Sequence, residues 1–212
     1  MRAIFDVGAN DGSWGLGMAQ RYPDVRVFAF EPTPELCRKI RDKVEQLGLA
    51  NYELVPAAVS DAPGRMRFNV AGQEDWGCSS LLAFADGLDK TWPGRRDFQV
   101  TDVIEVDCIR LDGFVEQRGV SSIAFLHTDA QGVDLKVIAS LGRHLSKVER
   151  GRLETARNAD VALYQGQHTL DGVLKFLWVN GFDVESVTPN DAFCNEVNLV
   201  YRRASGGVVR IR

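Results

Sequence analysis

The chain has 212 residues, of which 45% are hydrophobic, and this combination suits one globular domain with a sizeable core. Its formal net charge is -4 and its 25 basic residues are scattered, which argues against the concentrated basic face of a nucleic-acid-binding protein. It has neither an apolar run of the roughly 20 residues that a membrane span needs nor a basic-then-apolar leader. Four widely spaced cysteines without a C-x-x-C pair fit reduced thiols, so we expect a cytoplasmic protein.

Strand-like and helix-like segments alternate from the start of the chain, which predicts β/α units around a mostly parallel sheet. The first two strand-like segments are apolar enough to be buried on both faces, as central strands of a parallel sheet are. The helix after the second strand is the clearest, with Thr33 as a candidate N-cap and Gly48 as its end. In this half of the chain we predict strands over 3–7, 25–30, 52–60 and 64–70 and helices over 13–22 and 34–47.

Residues 71–102 lose clear periodicity and carry glycine, proline and two tryptophans, which predicts an irregular insert over the edge of the sheet. Regular patterns then return, and the last two strands are expected to form an antiparallel pair. We predict strands over 103–111, 121–128, 152–155, 182–187 and 195–203 and helices over 111–119, 133–141 and 169–179. The sequence therefore predicts one α/β domain over 1–203 and a flexible tail over 204–212.

The segment IFDVGANDGSWG, residues 4–15, joins the first strand to the first helix, where open α/β sheets usually bind ligands. It departs from the dinucleotide fingerprint G-x-G-x-x-G, since Asn10 and Ser13 replace the second and third glycines. It also lacks the G-K-[ST] of a Walker loop. Glu31 ends the second strand 23 residues after Gly8, close to the roughly 20 expected for a carboxylate that binds a ribose diol. The pattern therefore indicates a ribose-bearing ligand that need not carry a pyrophosphate, as is true of S-adenosylmethionine.

Six segments, in order, resemble the FkbM family of methyltransferases. They are FDVGANDGSWG, VFAFEPTPE, VPAAVSDAPG, CSSL, EVDCIRLDGF and FLHTDAQGVDLKVIASL. The resemblance covers most of residues 3–202 and is thin after Glu154. It implies a Rossmann-like class I methyltransferase fold, in which a mostly parallel seven-stranded sheet has an antiparallel last strand and helices on both faces. It also implies S-adenosylmethionine as the cofactor.

The resemblance places a cofactor site at the ends of the first strands. It implies that the methionine end of the cofactor is lined by Asp6, Gly8, Asn10 and Gly12. It implies that Glu31 holds the ribose and that Ala58 and Val59 lie against the adenine. Asp129 stands where the family has an acid facing the reaction centre. The chain departs here from the family's common Lys-x-Asp-x-Glu-Gly, because it carries His127, Asp129, Gln131 and Gly132.

A hydroxyl acceptor benefits from a catalytic base, which is typically worth about 10²- to 10⁴-fold in rate. His127 is the candidate, because it precedes Asp129 by two residues in a strand and the two side chains would then share a face. On this hypothesis, His127→Ala loses turnover and keeps cofactor affinity. The alternative is a buried histidine whose role is structural. We expect no required metal, since no paired-acid spacing demands one.

We expect the acceptor to lie over the irregular insert, because loops on a rigid scaffold carry specificity. Candidate substrate-binding residues are Trp76, Ser79 and Ser80, with His168 in a later loop, and Trp92 offers a further stacking face. Both tryptophans equally fit anchors to the core. We predict methylation of a hydroxyl of a saccharide or other natural product, with N-methylation of a small amine or a non-catalytic ligand-binding scaffold as alternatives. Because the chain begins directly at the first strand, we expect a pocket that is open or is completed by a second subunit of a homodimer.

Overall fold

The computed structural model describes residues 1–72, 76–95 and 97–205, apart from the side chain of Trp76. The strands in this part are β1 (Arg2–Val7), β2 (Arg26–Phe30), β3 (Tyr52–Val55), β4 (Ala58–Val59), β5 (Gly64–Ala71), β6 (Val100–Ile109), β7 (Ser122–Thr128), β8 (Arg150–Ala156), β9 (Phe182–Pro189) and β10 (Glu196–Arg203). The α-helices are α1 (Ser13–Arg21), α2 (Pro34–Leu47), α3 (Leu88–Thr91), α4 (Leu111–Gln117), α5 (Asp134–Ala139) and α6 (Leu170–Val179). The predicted flexible tail lies outside the described residues from 206 onward.

Seven strands form the main sheet, in the order β3-β2-β1-β7-β8-β10-β9. β1 pairs in parallel with both β2 and β7, whereas β10 runs antiparallel to β8 and β9. The predicted mostly parallel seven-stranded sheet with an antiparallel last strand is confirmed. The strands β2 and β3 lie on one side of β1, and the later strands β7 and β8 lie on the other, so the chain connections run in opposite directions from β1. Ligands of open α/β sheets bind at such a point, beyond the carboxyl ends of the strands.

Helices cover both faces of this sheet, as predicted, because successive residues of β1 point to opposite sides. On one side, Ile4 packs in a cluster with Leu16 of α1 and Ile40 of α2. On the other, Phe5 meets Phe114 of α4 edge-on, with ring centroids 5.9 Å apart. Buried residues of α5 and α6 belong to this second, larger cluster. Apolar packing on both faces thus fixes the positions of the central strands, and with them the start of each loop that follows.

The prediction of a single strand over 52–60 is wrong. β3 ends at Val55 and is followed by Pro56, which has no N–H to continue a strand ladder. Ala58 and Val59 then form β4, which pairs in parallel with β6 in a second sheet of order β4-β6-β5. The break redirects these two residues from the main sheet toward a cavity that is described below.

Much of the predicted irregular insert is irregular, but its two ends are strands. β5 extends to Ala71, and β6 begins at Val100 and pairs with β5 in antiparallel fashion. Between them, Trp92 is buried in a small cluster with Leu163 and Tyr164. The insert is thus anchored on the loop that follows β8. None of the helices in the described ranges is long and apolar enough to cross a membrane.

Candidate active site

The loop from β1 to α1 lies very close to the loop that follows β7. Gly8 has a φ of 80°, and a Cβ at this position would lie 1.9 Å from the carbonyl oxygen of Asp129. The N–H groups of Gly8 and Ala9 both donate to the carbonyl oxygen of Phe30 at 3.0 Å. Asn10 also has a positive φ, of 51°. Backbone contacts thus fix this turn against the ends of both strands that flank β1.

Glu31 follows β2 directly, lies beside that turn and is 4% exposed. Its Oε2 accepts a hydrogen bond from the N–H of Asn10 at 2.9 Å, and its Oε1 accepts one from the N–H of Thr33 at 2.8 Å. Burial raises the pKa of Glu31, and these hydrogen bonds oppose the rise. Thr33 occupies the predicted N-cap position of α2, but its side chain makes no capping hydrogen bond. Each carboxylate oxygen retains lone-pair capacity for a further donor, such as a ribose hydroxyl.

A first cavity, with about 670 Å³ of empty space that is partly open to solvent, lies beside the turn and Glu31. Its polar lining includes Asn10, Glu31, Thr33, Ser79, Asp129 and Gln131. Its apolar lining includes Val7, Phe30, Leu36, Ala57, Ala58, Val59, Phe68, Leu81 and Val133. Ala58 and Val59 therefore lie in an apolar wall, while Glu31 supplies a carboxylate. This division suits a ligand with a flat apolar group joined to a polar one.

A second cavity, with about 660 Å³ of empty space, adjoins the first. Gly77, Asp129 and Gln131 line both cavities. The rest of the second cavity is lined by Cys78, Trp92, Arg95, Phe98, Arg152, Glu154, Leu163, Asn190, Asp191 and Glu196. Polar and charged side chains dominate this set. The second cavity is thus suited to a hydrophilic ligand, and Asp129 lies where the two cavities meet.

Asp129 is held at that junction by residues of two loops. Gln131 donates from Nε2 to Asp129 Oδ1 at 2.6 Å. The Tyr164 hydroxyl lies 2.8 Å from Gln131 Oε1 and 2.8 Å from the carbonyl oxygen of Cys78. Gly132 has a φ of 92°, and a Cβ there would lie 2.8 Å from the Tyr164 ring. Tyr164 therefore fixes Gln131, which in turn orients the Asp129 carboxylate. Our sequence reasoning missed both Gln131 and Tyr164 as site residues.

Asp6 and Gly12 lie next to the turn but do not line the first cavity. Gly12 has a φ of 79°, and a Cβ there would lie 3.0 Å from the Ile40 side chain, so this glycine lets α1 pack against α2. Asp6 is 1% exposed, and its Oδ1 lies 2.8 Å from Nδ1 of His127. Burial raises the pKa of Asp6, and the hydrogen bond with His127 opposes that rise.

The structure does not bring His127 and Asp129 to one cavity. β7 ends at Thr128, so the alternation that would have placed both side chains on one face stops between them. His127 is 7% exposed and stacks on the indole of Trp14 in α1, with ring centroids 4.2 Å apart. It lines neither cavity, whereas Asp129 lines both.

Two further acids that our sequence reasoning missed, Glu154 of β8 and Glu196 of β10, lie in the wall of the second cavity. Burial raises the pKa of both carboxyl groups, and neighbouring acids raise it further. The sequence gives little signal for them, since Glu154 lies among polar residues in β8, RGRLETA, and Glu196 is the first residue of β10, EVNLVYRR. Charged residues are rarely buried in strands unless they are paired.

The predicted substrate-binding residues have different surroundings. Ser79 lines the first cavity, and its hydroxyl accepts a hydrogen bond from the N–H of Ala71. Ser80 is buried and lines neither cavity, because its hydroxyl donates to the carbonyl oxygen of Gln131 at 2.6 Å. His168 also lines neither cavity, and burial lowers the pKa of its ring. The side chain of Trp76 lies outside the described residues.

The sequence over residues 6–184 matches the family defined by the Methyltransferase FkbM domain. This chain belongs to the FkbM methyltransferase family. It is 30% identical to 2-O-methyltransferase NoeI of Sinorhizobium fredii, over 82% of this chain and 70% of that protein. It is 28% identical to 31-O-demethyl-FK506 methyltransferase FkbM of Streptomyces tacrolimicus, over 96% of this chain and 81% of that protein.

A solved FkbM structure shares the fold of this FkbM-family chain. The crystal structure of methyltransferase FkbM from Methylobacillus flagellatus superposes with a TM-score of 0.58 at 10% identity. The superposition covers 95% of this chain and 44% of that one, so our chain spans less than half of the crystallised protein. The predictions of an FkbM methyltransferase domain, of the class I fold and of S-adenosylmethionine as cofactor are confirmed.

Proposed function

We propose that this FkbM-family methyltransferase transfers the methyl group of S-adenosylmethionine to a hydroxyl of a saccharide or another small natural product. The observation that carries the proposal is the position of Asp129, which lines two adjoining cavities at once. One cavity then holds the cofactor and the other the acceptor, with their reacting ends at the same carboxylate. The names of the two relatives, a 2-O-methyltransferase and a 31-O-demethyl-FK506 methyltransferase, support a hydroxyl as the acceptor.

The first cavity provides a matching group for each part of the cofactor. Glu31 would accept hydrogen bonds from the ribose hydroxyls, as its two backbone-anchored oxygens suggest. Ala58 and Val59 would contact the adenine, and the turn from Gly8 to Asn10 would approach the methionine end. Asp6 would act from beneath this turn, since it lies outside the cavity lining. When bound, S-adenosylmethionine supplies an electrophilic methyl group.

Methyl transfer is a direct displacement, so the protein must chiefly align the acceptor oxygen with the carbon–sulfur bond. Such alignment contributes on the order of 7 to 11 kcal/mol to lowering the barrier. We assign Asp129 the role of accepting a hydrogen bond from the acceptor hydroxyl, because Gln131 already fixes one of its oxygens at 2.6 Å. Polar side chains of the second cavity, such as Asn190 and Arg152, would bind the remaining hydroxyls of a saccharide.

N-methylation of a small amine is a second candidate function. Four acids, Asp129, Glu154, Asp191 and Glu196, line the second cavity, and they would attract an ammonium group. Two arginines, Arg95 and Arg152, line it as well and would oppose that attraction. The mixed charge therefore favours a neutral polyhydroxylated acceptor over a cationic one.

Two measurements test the proposed function. Calorimetric titration with S-adenosylmethionine and with NADH should show binding of the first and none of the second. A screen for S-adenosylhomocysteine release should then succeed with alcohols, using methyl hexopyranosides and 31-O-demethyl-FK506 as probes and small alkyl amines as the comparison. Turnover of amines with none of any alcohol would replace the proposal by N-methylation. The homodimer stays a prediction, which sedimentation velocity tests.

A further inference from the structure

Glu154 and Glu196 lie side by side in the wall of the second cavity. In the antiparallel ladder of β8 and β10, Glu154 is opposite Asn198 and Glu196 is opposite Ala156. The two glutamates are therefore diagonal neighbours on one face of the sheet. They are 9% and 5% exposed, and each carboxyl group acts directly on the pKa of the other. Two buried carboxyl groups that are such close neighbours cannot both stay ionised, so they share one proton.

The surroundings decide which of the two carboxyl groups carries that proton. Gln167 donates from Nε2 to Glu196 Oε1 at 3.1 Å, which favours the ionised form of Glu196. Glu154 faces the negative charges of Glu196, Asp129 and Asp134, and with burial they raise its pKa well above its ordinary value. Asp129 and Asp191 act in the same direction on Glu196. Glu154 is therefore the protonated partner and Glu196 the carboxylate.

The lining of the same cavity also includes a buried tryptophan. Trp92 lines the cavity and is 3% exposed, and its indole N–H has no hydrogen-bond partner among the described residues. A buried donor left unsatisfied costs about 1–3 kcal/mol. No group of three or more acidic, histidine or cysteine side chains in the described residues is arranged to hold a metal ion. The acids thus form a pair that faces a cavity for an uncharged hydroxylated molecule.

We propose that the Glu154–Glu196 pair accepts the proton of the acceptor hydroxyl during methyl transfer. This inference rests on the proposed function. The acceptor oxygen forms a bond to the methyl carbon, the carbon–sulfur bond breaks, and its electron pair stays on sulfur as S-adenosylhomocysteine leaves. The hydroxyl proton passes to the Glu196 carboxylate, so that the pair ends with two protons and later returns one to solvent. Asp129 orients the hydroxyl between the cavities, and the pair removes its proton.

Three variants test this assignment. Glu196→Gln removes the carboxylate and should lower kcat by about 10²- to 10⁴-fold, the usual worth of a catalytic base. Glu154→Gln leaves the carboxylate of Glu196 but replaces its acidic neighbour by an amide. Protonated Glu154 lowers the pKa of Glu196, and an amide is a weaker hydrogen-bond donor than a carboxylic acid, so the pKa of Glu196 should rise in this variant. The acid limb of the kcat–pH profile should then shift to higher pH, and kcat above that limb should fall less than in Glu196→Gln. Glu185→Gln, an exposed acid of the neighbouring strand β9, is the matched control and should retain wild-type kcat.

Two further readouts separate a failure of this assignment from a failure of the proposed function. Calorimetric titration with S-adenosylmethionine should give the same affinity in all three variants and the wild type. Infrared difference spectra between wild type and Glu154→Gln at neutral pH should show the loss of one protonated carboxyl band, distinct from that of Asp134. If wild type methylates alcohols and Glu196→Gln does so at a similar rate, only the assignment of the pair is overturned. If wild type methylates no alcohol, the proposed function fails and the assignment with it.

Discussion

Nδ1 of His127 lies 2.8 Å from Oδ1 of Asp6, and the two residues are register partners in the central strands β7 and β1. Trp14 of α1 stacks on the histidine ring. This contact ties together the two strands whose following loops contain Gly8 and Asp129. His127 thus supports the geometry of the site from beneath, at a distance from both cavities.

Replacing His127 by alanine should therefore affect stability more than chemistry. Asp6 would be left buried and without its partner, at a cost of about 1–3 kcal/mol in the free energy of unfolding. Urea unfolding measures this loss, and His168→Ala, at a position that lines neither cavity, provides the comparison. Well below its melting temperature, the His127→Ala variant should keep kcat within about tenfold of wild type. Loss of a catalytic base typically lowers kcat by about 10²-fold or more. If a folded His127→Ala variant showed such a loss, His127 would be the catalytic base after all.

Gly8→Ala should abolish the geometry of the cofactor turn. A Cβ at this position would lie 1.9 Å from the carbonyl oxygen of Asp129, and φ is positive, so the turn and the β7 loop must separate. We expect the affinity for S-adenosylmethionine to fall at least about tenfold, or about 1.4 kcal/mol, in calorimetric titration. Gly17→Ala, in α1, is the matched control, since its Cβ would meet nothing within 4 Å. It should bind normally and gain about 0.5–1 kcal/mol in stability.

The parts of the site that could be predicted from the sequence depend on local signals. Gly8 and Glu31 belong to short strand-end patterns, and the strands that carry them are apolar enough to be recognised as central. The prediction for residues 52–60 failed because Pro56 breaks a strand that apolar content alone would continue. That break, and no feature of the main sheet, brings Ala58 and Val59 to the first cavity.

The remaining parts depend on how distant strands pair. Glu154 and Glu196 meet only because β10 runs antiparallel beside β8, and neither residue alone reveals that register. Gln131 gains its role from Tyr164, which belongs to a loop beyond the next strand. His127 and Asp129 show the opposite case, in which a valid rule for strands was applied across the point where the strand ends. Such contacts are tertiary, so spacing along one sequence does not determine them.

Glu31→Gln should weaken cofactor binding without unfolding the protein. Both carboxylate oxygens accept backbone N–H groups, and the amide of glutamine would place a donor opposite one of those donors. The proposed hydrogen bonds from the ribose hydroxyls to the charged carboxylate would be lost, and hydrogen bonds to a charged group are worth about 1.5–3 kcal/mol. Titration with S-adenosylmethionine should thus show roughly 10- to 150-fold weaker binding. Glu35→Gln, an exposed acid in the first turn of α2, should bind as wild type does, and equal affinity in both variants would remove Glu31 from the ribose site.

Asp134, at the start of α5, should make stability fall as the pH rises. It is 3% exposed, and burial together with the charge of Asp129 raises its pKa from 3.8 to about 7. Between these two values the folded protein holds a proton that the unfolded chain has lost, so each pH unit costs up to about 1.4 kcal/mol. Other buried acids with raised pKa values, such as Glu154, add to the same slope.

Asp134→Asn should remove the part of this slope that Asp134 causes, because an amide does not ionise and can still accept the hydrogen bond from the N–H of Ala130. Urea unfolding at about pH 5 and about pH 8 measures it, since the midpoint shifts with the free energy of unfolding at constant m-value. The variant should be more stable than wild type at both pH values, and by the larger margin at the higher one. Asp171→Asn, at an exposed position in α6, should leave the slope unchanged. A variant of Asp134 that lost stability equally at both pH values would show that the carboxyl group stays ionised when buried.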